Sequence, residues 1–151
     1  MPTHRRCLLA ALLAGTASVL LPANAQADSL DADERRAVRS TIEAQLQALA
    51  VGDAARAFGF ASPDIHRQFG DADTFFSMVR QGYPMVIRPA STAFFEPERR
   101  DGAVLQVVQL RDAGGRGWLA TYQLLRLDSQ PGRPWRINGV VVTADPGKSS
   151  T

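Results

Sequence analysis

Cysteine is nearly absent: the only one is Cys7. It stands in an N-terminal stretch with the grammar of an export leader, so the mature chain is expected to have no disulfide, no thiolate nucleophile and no cysteine metal ligand. Histidine is almost as scarce, and His66 is the only one beyond that stretch. A zinc site with one histidine and no cysteine lacks its usual donors. As a base His66 lacks an orienting partner, because Asp64 is two residues away and would not face it on a helix. No metal and no cofactor are expected. A surplus of one charge is missing as well: 17 Lys and Arg stand against 15 Asp and Glu. Arg5 and Arg6 fall in the leader, so the mature chain balances, with the signs interspersed. Nucleic acid needs a clustered basic stripe. The pairs Arg35-Arg36 and Arg99-Arg100 each have acidic neighbours and read as solvated faces.

What is present at the start is a leader in three parts. His4, Arg5 and Arg6 are basic, Cys7 to Leu21 is apolar, and Pro22 precedes Ala23-Asn24-Ala25 and Ala25-Gln26-Ala27. The apolar stretch is shorter than the ~20 residues a helix needs to cross a bilayer, and the small-x-small sites suit signal peptidase. Cleavage after Ala27 is expected, leaving a periplasmic or secreted protein with no membrane attachment. Arg5-Arg6 before Cys7-Leu8-Leu9 leaves the twin-arginine route open beside the general one. Residues 28–144 then read as a single domain, and 145–151, from Asp145 to Thr151, as a disordered tail without core residues.

Within the domain, Asp31 and Glu34 fit a capping box ahead of a helix from Leu30 to Val51, with Val38, Ile42, Leu46 and Leu49 at helical spacing. Gly52 ends it and Asp53 caps a second, short helix. Ser62-Pro63 opens a helical turn that closes at Gly70, and Asp71 or Asp73 caps a segment carrying Phe75, Phe76 and Val79. Gly82-Tyr83-Pro84 stops that segment. Four extended runs follow, Ser91–Phe95, Ala103–Arg111, Trp118–Arg126 and Trp135–Thr143, separated by Asp101-Gly102, Gly114-Gly115 and Pro131-Gly132. The class expected is α+β: two or three N-terminal helices packed on a four-stranded antiparallel sheet. In the last run Trp135, Ile137, Gly139 and Val141 are expected to share the apolar face.

Three segments, Asp53-Ala-Ala-Arg-Ala-Phe-Gly-Phe-Ala-Ser-Pro63, Met78-Val-Arg-Gln-Gly-Tyr-Pro84 and Trp135-Arg-Ile-Asn-Gly139, resemble an uncharacterised family of short exported bacterial proteins, domain of unknown function 4864. That family is similar in turn to the nuclear-transport-factor-2-like superfamily. The resemblance implies a curved, cone-like sheet with helices at its mouth, and it brings no activity, since that superfamily hosts enzymes, binders and assembly domains alike.

Candidates for chemistry are few. Asp64, Asp71 and Asp73 would be general bases at a cone mouth, but each sits where a helix cap belongs, and the three longer strands carry no carboxylate. Gln106, Tyr122 and Asn138 are polar residues in apolar strands: they could orient a ligand inside the cone, but the reading favoured is the solvated face or a bond to a neighbouring loop. Gly114-Gly115-Arg116-Gly117 joins two strands without a following helix and reads as a hairpin turn. Arg80, Tyr83 and Arg88 flank the passage from helix to sheet and are the candidate ligand-binding group; no catalytic residue is assigned. The function expected is a non-catalytic module that binds a small molecule between the Phe75–Tyr83 helix and the sheet. The alternatives are an interaction domain that docks or homodimerises through its sheet face, and a cone-pocket isomerase or hydrolase.

Overall fold

The computed structural model describes residues 29–127 and 134–147. The leader, the Pro131-Gly132 turn and residues 148–151 lie outside the described residues.

Each helix begins on an acceptor side chain that meets a backbone N–H three residues on. Asp31 accepts from Glu34 N–H at 2.8 Å while the Glu34 carboxylate accepts from Asp31 N–H at 3.2 Å, a closed capping box for α1, Ala32–Ala50. Asp53 caps α2 (Ala54–Gly59) and Ser62 caps α3 (Pro63–Phe69). For α4 (Ala72–Gly82) the cap is Asp71, whose carboxylate accepts from Thr74 N–H at 2.7 Å, and Asp73 stands in the first turn. Pro84–Val86 then forms a single 3-10 turn. Among the described residues there are thus four α-helices, close to the two or three expected, because the short turns after Asp53 and Ser62 each close with their own cap.

The sheet is antiparallel and open. Its strands are β1 (Ser91–Phe94), β2 (Glu98–Arg100), β3 (Ala103–Arg111), β4 (Gly117–Arg126) and β5 (Trp135–Ala144). β1 and β2 pair with opposite ends of β3, so five strands occupy four positions, followed by β4 and β5. The break between β1 and β2 is met by Gln106, which donates to the Phe95 carbonyl at 2.6 Å and is buried, the neighbouring-segment bond expected of it. Asp101 and Gly102 both have positive φ, 51° and 77°, as a tight hairpin between β2 and β3 needs.

Alternation places Val104, Val108 and Leu110 of β3 and Ala120, Tyr122 and Leu124 of β4 inward against α1 and α4. On β5 the alternation breaks. Leu124 pairs with Ile137 and Gln123 with Gly139, so Asn138 is an extra residue, a β-bulge. Trp135 and Ile137 face inward before it, whereas Val140 and Val142 pack on the core after it and Val141 is 64% exposed. Val141 thus does not share the face of Trp135 and Ile137: one inserted residue reverses the parity of the strand.

Long-range polar contacts tie the layers together. Glu34 accepts from Arg99 at 2.9 and 3.0 Å and pairs with Arg126 at 3.3 Å, joining α1 to β2 and β4. The Arg126 guanidinium also lies over the Trp135 ring, 4.7 Å from its centroid. At the other end Asp145, which the sequence assigns to the tail, accepts from Gln109 at 2.6 Å and its N–H donates to the Gly117 carbonyl at 3.0 Å.

Candidate functional site

The start of β5 is not a free edge. Ile137 N–H donates to the Phe60 carbonyl and Ser62 N–H to the Ile137 carbonyl, both at 2.8 Å, so the chain between α2 and α3 runs beside it. α3 and α4 face this stretch of the sheet, where the bulge begins. Between them a cleft of about 790 Å³ opens, within the range of small-molecule sites. Its floor is Tyr122 of β4 and Ile137 to Val140 of β5, and its walls are Gln45 and Leu49 of α1, Ile65 and Phe69 of α3, and Phe75, Met78 and Val79 of α4. Phe75 lies 5.2 Å from Phe58 and meets Phe69 edge-on at 5.8 Å, a stacked aromatic side to the cleft.

Among the described residues no Asp, Glu, Lys, Arg or His lines the cleft. Its buried polar groups are Gln45 and Tyr122. Tyr122, expected on the solvated face or on a loop, is 1% exposed and lines the floor. Among the described residues its hydroxyl has no hydrogen-bond partner, and burial pushes its pKa upward, which keeps the phenol protonated. Gln45 donates through Nε2 to the Ala57 carbonyl at 3.2 Å, and its Oε1 has no partner among the described residues. Asn138 also lines the cleft, but it accepts from the Ser62 hydroxyl at 2.6 Å and donates to Gln123 at 3.2 Å.

The three candidate residues are not brought together. Tyr83 lines the cleft. Arg88 turns away and donates to the Ala50 carbonyl at 2.7 Å, satisfying the C-terminal end of α1. Arg80 is exposed and lies over Phe76, 5.8 Å from the ring centroid. His66 does not line the cleft: its Nε2 is 2.7 Å from the Phe58 carbonyl and its ring stacks on Phe58 at 3.8 Å. Asp64 pairs with Arg67 and Asp71 is the α4 cap, held below the usual carboxylate range by the Thr74 N–H. Of the apolar strand residues, Ile137 lines the cleft, Leu124 is core, and Trp118 sits at the other end of β4 under Arg116.

Gln45 was not singled out by the sequence reading. The available signal was its place on the buried stripe of α1, three residues after Ile42 and four before Leu49. A polar residue there either bonds within the core or faces a cavity, and Gln45 does both.

Among the described residues no group of three or more His, Cys, Asp or Glu could hold a metal ion, and no helix is long and apolar enough to cross a membrane. All three segments that carry the family resemblance reach the cleft: Ala61 from the first, Met78 to Tyr83 in part from the second, and Ile137 to Gly139 from the third. No curated protein and no solved structure matches the chain significantly. Residues 31–150, which include every residue of the cleft, match the family described as a domain of unknown function (DUF4864), and the chain belongs to that family.

Proposed function

We propose that this protein is an exported, non-catalytic module that holds a small molecule in the cleft between α4 and the sheet. The observation that carries this reading is Tyr122: its ring is buried, and its hydroxyl, without a protein partner among the described residues, opens onto the floor of an otherwise apolar cleft. A donor placed so is free to be met by a ligand that accepts from it in place of water. General acid–base work needs a titratable group near the reacting atoms. Asp64, Asp71 and His66 are engaged elsewhere and Asp73 does not line the cleft, which favours binding over an isomerase or hydrolase. Placement in the nuclear-transport-factor-2-like superfamily is part of the proposal, supported by helices packed on one face of an open antiparallel sheet.

The test is extraction of protein purified from its exported compartment, followed by mass spectrometry. A stoichiometric small molecule, displaced when Tyr122 or Tyr83 is replaced, supports the reading. Repeated recovery of empty protein that binds no added small molecule removes it.

A second reading is docking through the outer face of the sheet, to a second copy or another protein. Phe95 (50% exposed) and Val141 (64% exposed) lie on that face with the half-buried Leu105, Val107, Leu119 and Leu125. Contiguous apolar surface of this kind marks interaction sites. Light scattering of the mature protein separates the two: a dimer dispersed by Val141→Lys favours docking, and a monomer at high concentration disfavours self-association.

A further inference from the structure

We infer that the cleft takes an uncharged, hydrocarbon-rich ligand bearing a hydroxyl group, and rejects carboxylates and amines. This rests on the reading of the cleft as a ligand site. Charge comes first. Among the described residues none of the lining side chains is cationic or anionic, and of the arginines beside them in sequence Arg67 pairs with Asp64, Arg80 lies over Phe76, Arg88 donates to the Ala50 carbonyl and Arg136 to the Trp135 carbonyl. A carboxylate entering such a cleft would give up its water without meeting a counter-ion, and an ammonium would fare no better.

The polar groups narrow the class further. Gln45 is 4% exposed, and its Nε2 can only be the atom facing the Ala57 carbonyl, because a carbonyl accepts and an amide NH₂ donates. Its Oε1 is therefore oriented and without a partner among the described residues, and it can only accept. Tyr122 offers a protonated phenol that donates. A pure hydrocarbon leaves both groups unmet. A ketone or ester answers Tyr122 but leaves Gln45 unmet. A hydroxyl donates and accepts, so it can serve either wall or both. The rings of Phe69, Phe75 and Tyr83 on the remaining sides suit a flat hydrocarbon body.

The experiment uses the mature protein and three probes of one shape: naphthalene, naphthol and naphthoate, ranked by competition titration. Naphthol is expected to bind about fivefold tighter than naphthalene, the worth of one neutral hydrogen bond, and naphthoate at least ~10-fold weaker than naphthol. In Tyr122→Phe the advantage of naphthol over naphthalene should shrink while naphthalene binding stays, which also shows that the variant is folded. Naphthoate binding as tightly as naphthol overturns the inference and leaves the ligand-site reading standing. An advantage of naphthol untouched by both Tyr122→Phe and Gln45→Met overturns the two anchors. Failure of all three probes to bind overturns the inference and the ligand-site reading together.

Discussion

Gln123 of β4 stands opposite Gly139 of β5, while its neighbour Leu124 stands opposite Ile137, so Asn138 has no partner of its own. That single extra residue lets the strand bury Ile137 and then pack Val140 on the core, and it puts Asn138 and Gly139 on the floor of the cleft. Asn138 is secured by the Ser62 hydroxyl, so the bulge and the cap of α3 are one structural unit.

The bulge makes the two sides of β5 separable by mutation. Ile137→Ala should cost about 2–5 kcal/mol and Trp135→Ala about 3–5 kcal/mol, as for large side chains removed from a core. Val141→Ala should stay within about 0.5 kcal/mol, since the side chain is exposed. Urea unfolding of the three variants checks this; a Val141→Ala as damaging as Ile137→Ala would mean that the strand alternates without a bulge.

Glu34 is mostly buried, with 14% of its side chain exposed, and faces two guanidiniums that are themselves largely covered. Glu34→Gln keeps an acceptor for the capping box but leaves Arg99 and Arg126 without a counter-charge. A loss of about 1–3 kcal/mol is expected, below the full cost of a buried pair because all three groups retain some water. Glu43→Gln, which breaks the exposed Arg39–Glu43 pair, should change stability by less than about 0.5 kcal/mol. Thermal melts of both at low and high salt provide the comparison.

Asp71 has a lowered pKa, first through the backbone N–H of Thr74, and Asp145 through the backbone N–H of Gly147 and then Gln109. A carboxyl whose folded pKa is depressed stabilises the fold above its unfolded value of about 3.9, and that contribution fades as pH falls through the folded value. Melting temperature should therefore drop on acidification below about pH 4. In Asp71→Asn, which retains a capping acceptor but does not titrate, that part of the drop should be missing. A variant whose acid profile matches the parent would show that the α4 cap is not a source of the acid sensitivity.

Cleavage after Ala27 would leave Asp28 as the first residue of the exported protein. Intact-mass measurement of material from the periplasm or medium checks the position. Mature protein that still contains Cys7 would remove the soluble-export proposal.

Asp31, Asp53, Ser62 and Asp71 were legible as caps in the sequence because each bonds an N–H only three residues away. The turn at Asp101-Gly102 was legible for the same reason: local backbone preference needs no distant partner. The family was legible in three short segments, although nothing in them announced that they meet around one cleft.

What depended on partners far along the chain was settled only by the tertiary structure. Arg88 looks like a rim cation until the Ala50 carbonyl, 38 residues away, takes its Nε–H. Tyr122 looks like a solvated strand residue until the parity of β4 turns it toward the helices. The bulge at Asn138 exists only in the register between β4 and β5, which Ser62, 76 residues earlier, helps to hold. Local hydrogen bonds follow from neighbouring residues, whereas facing, register and enclosure follow from which distant surfaces pack, and the empty space between them belongs to no segment of sequence.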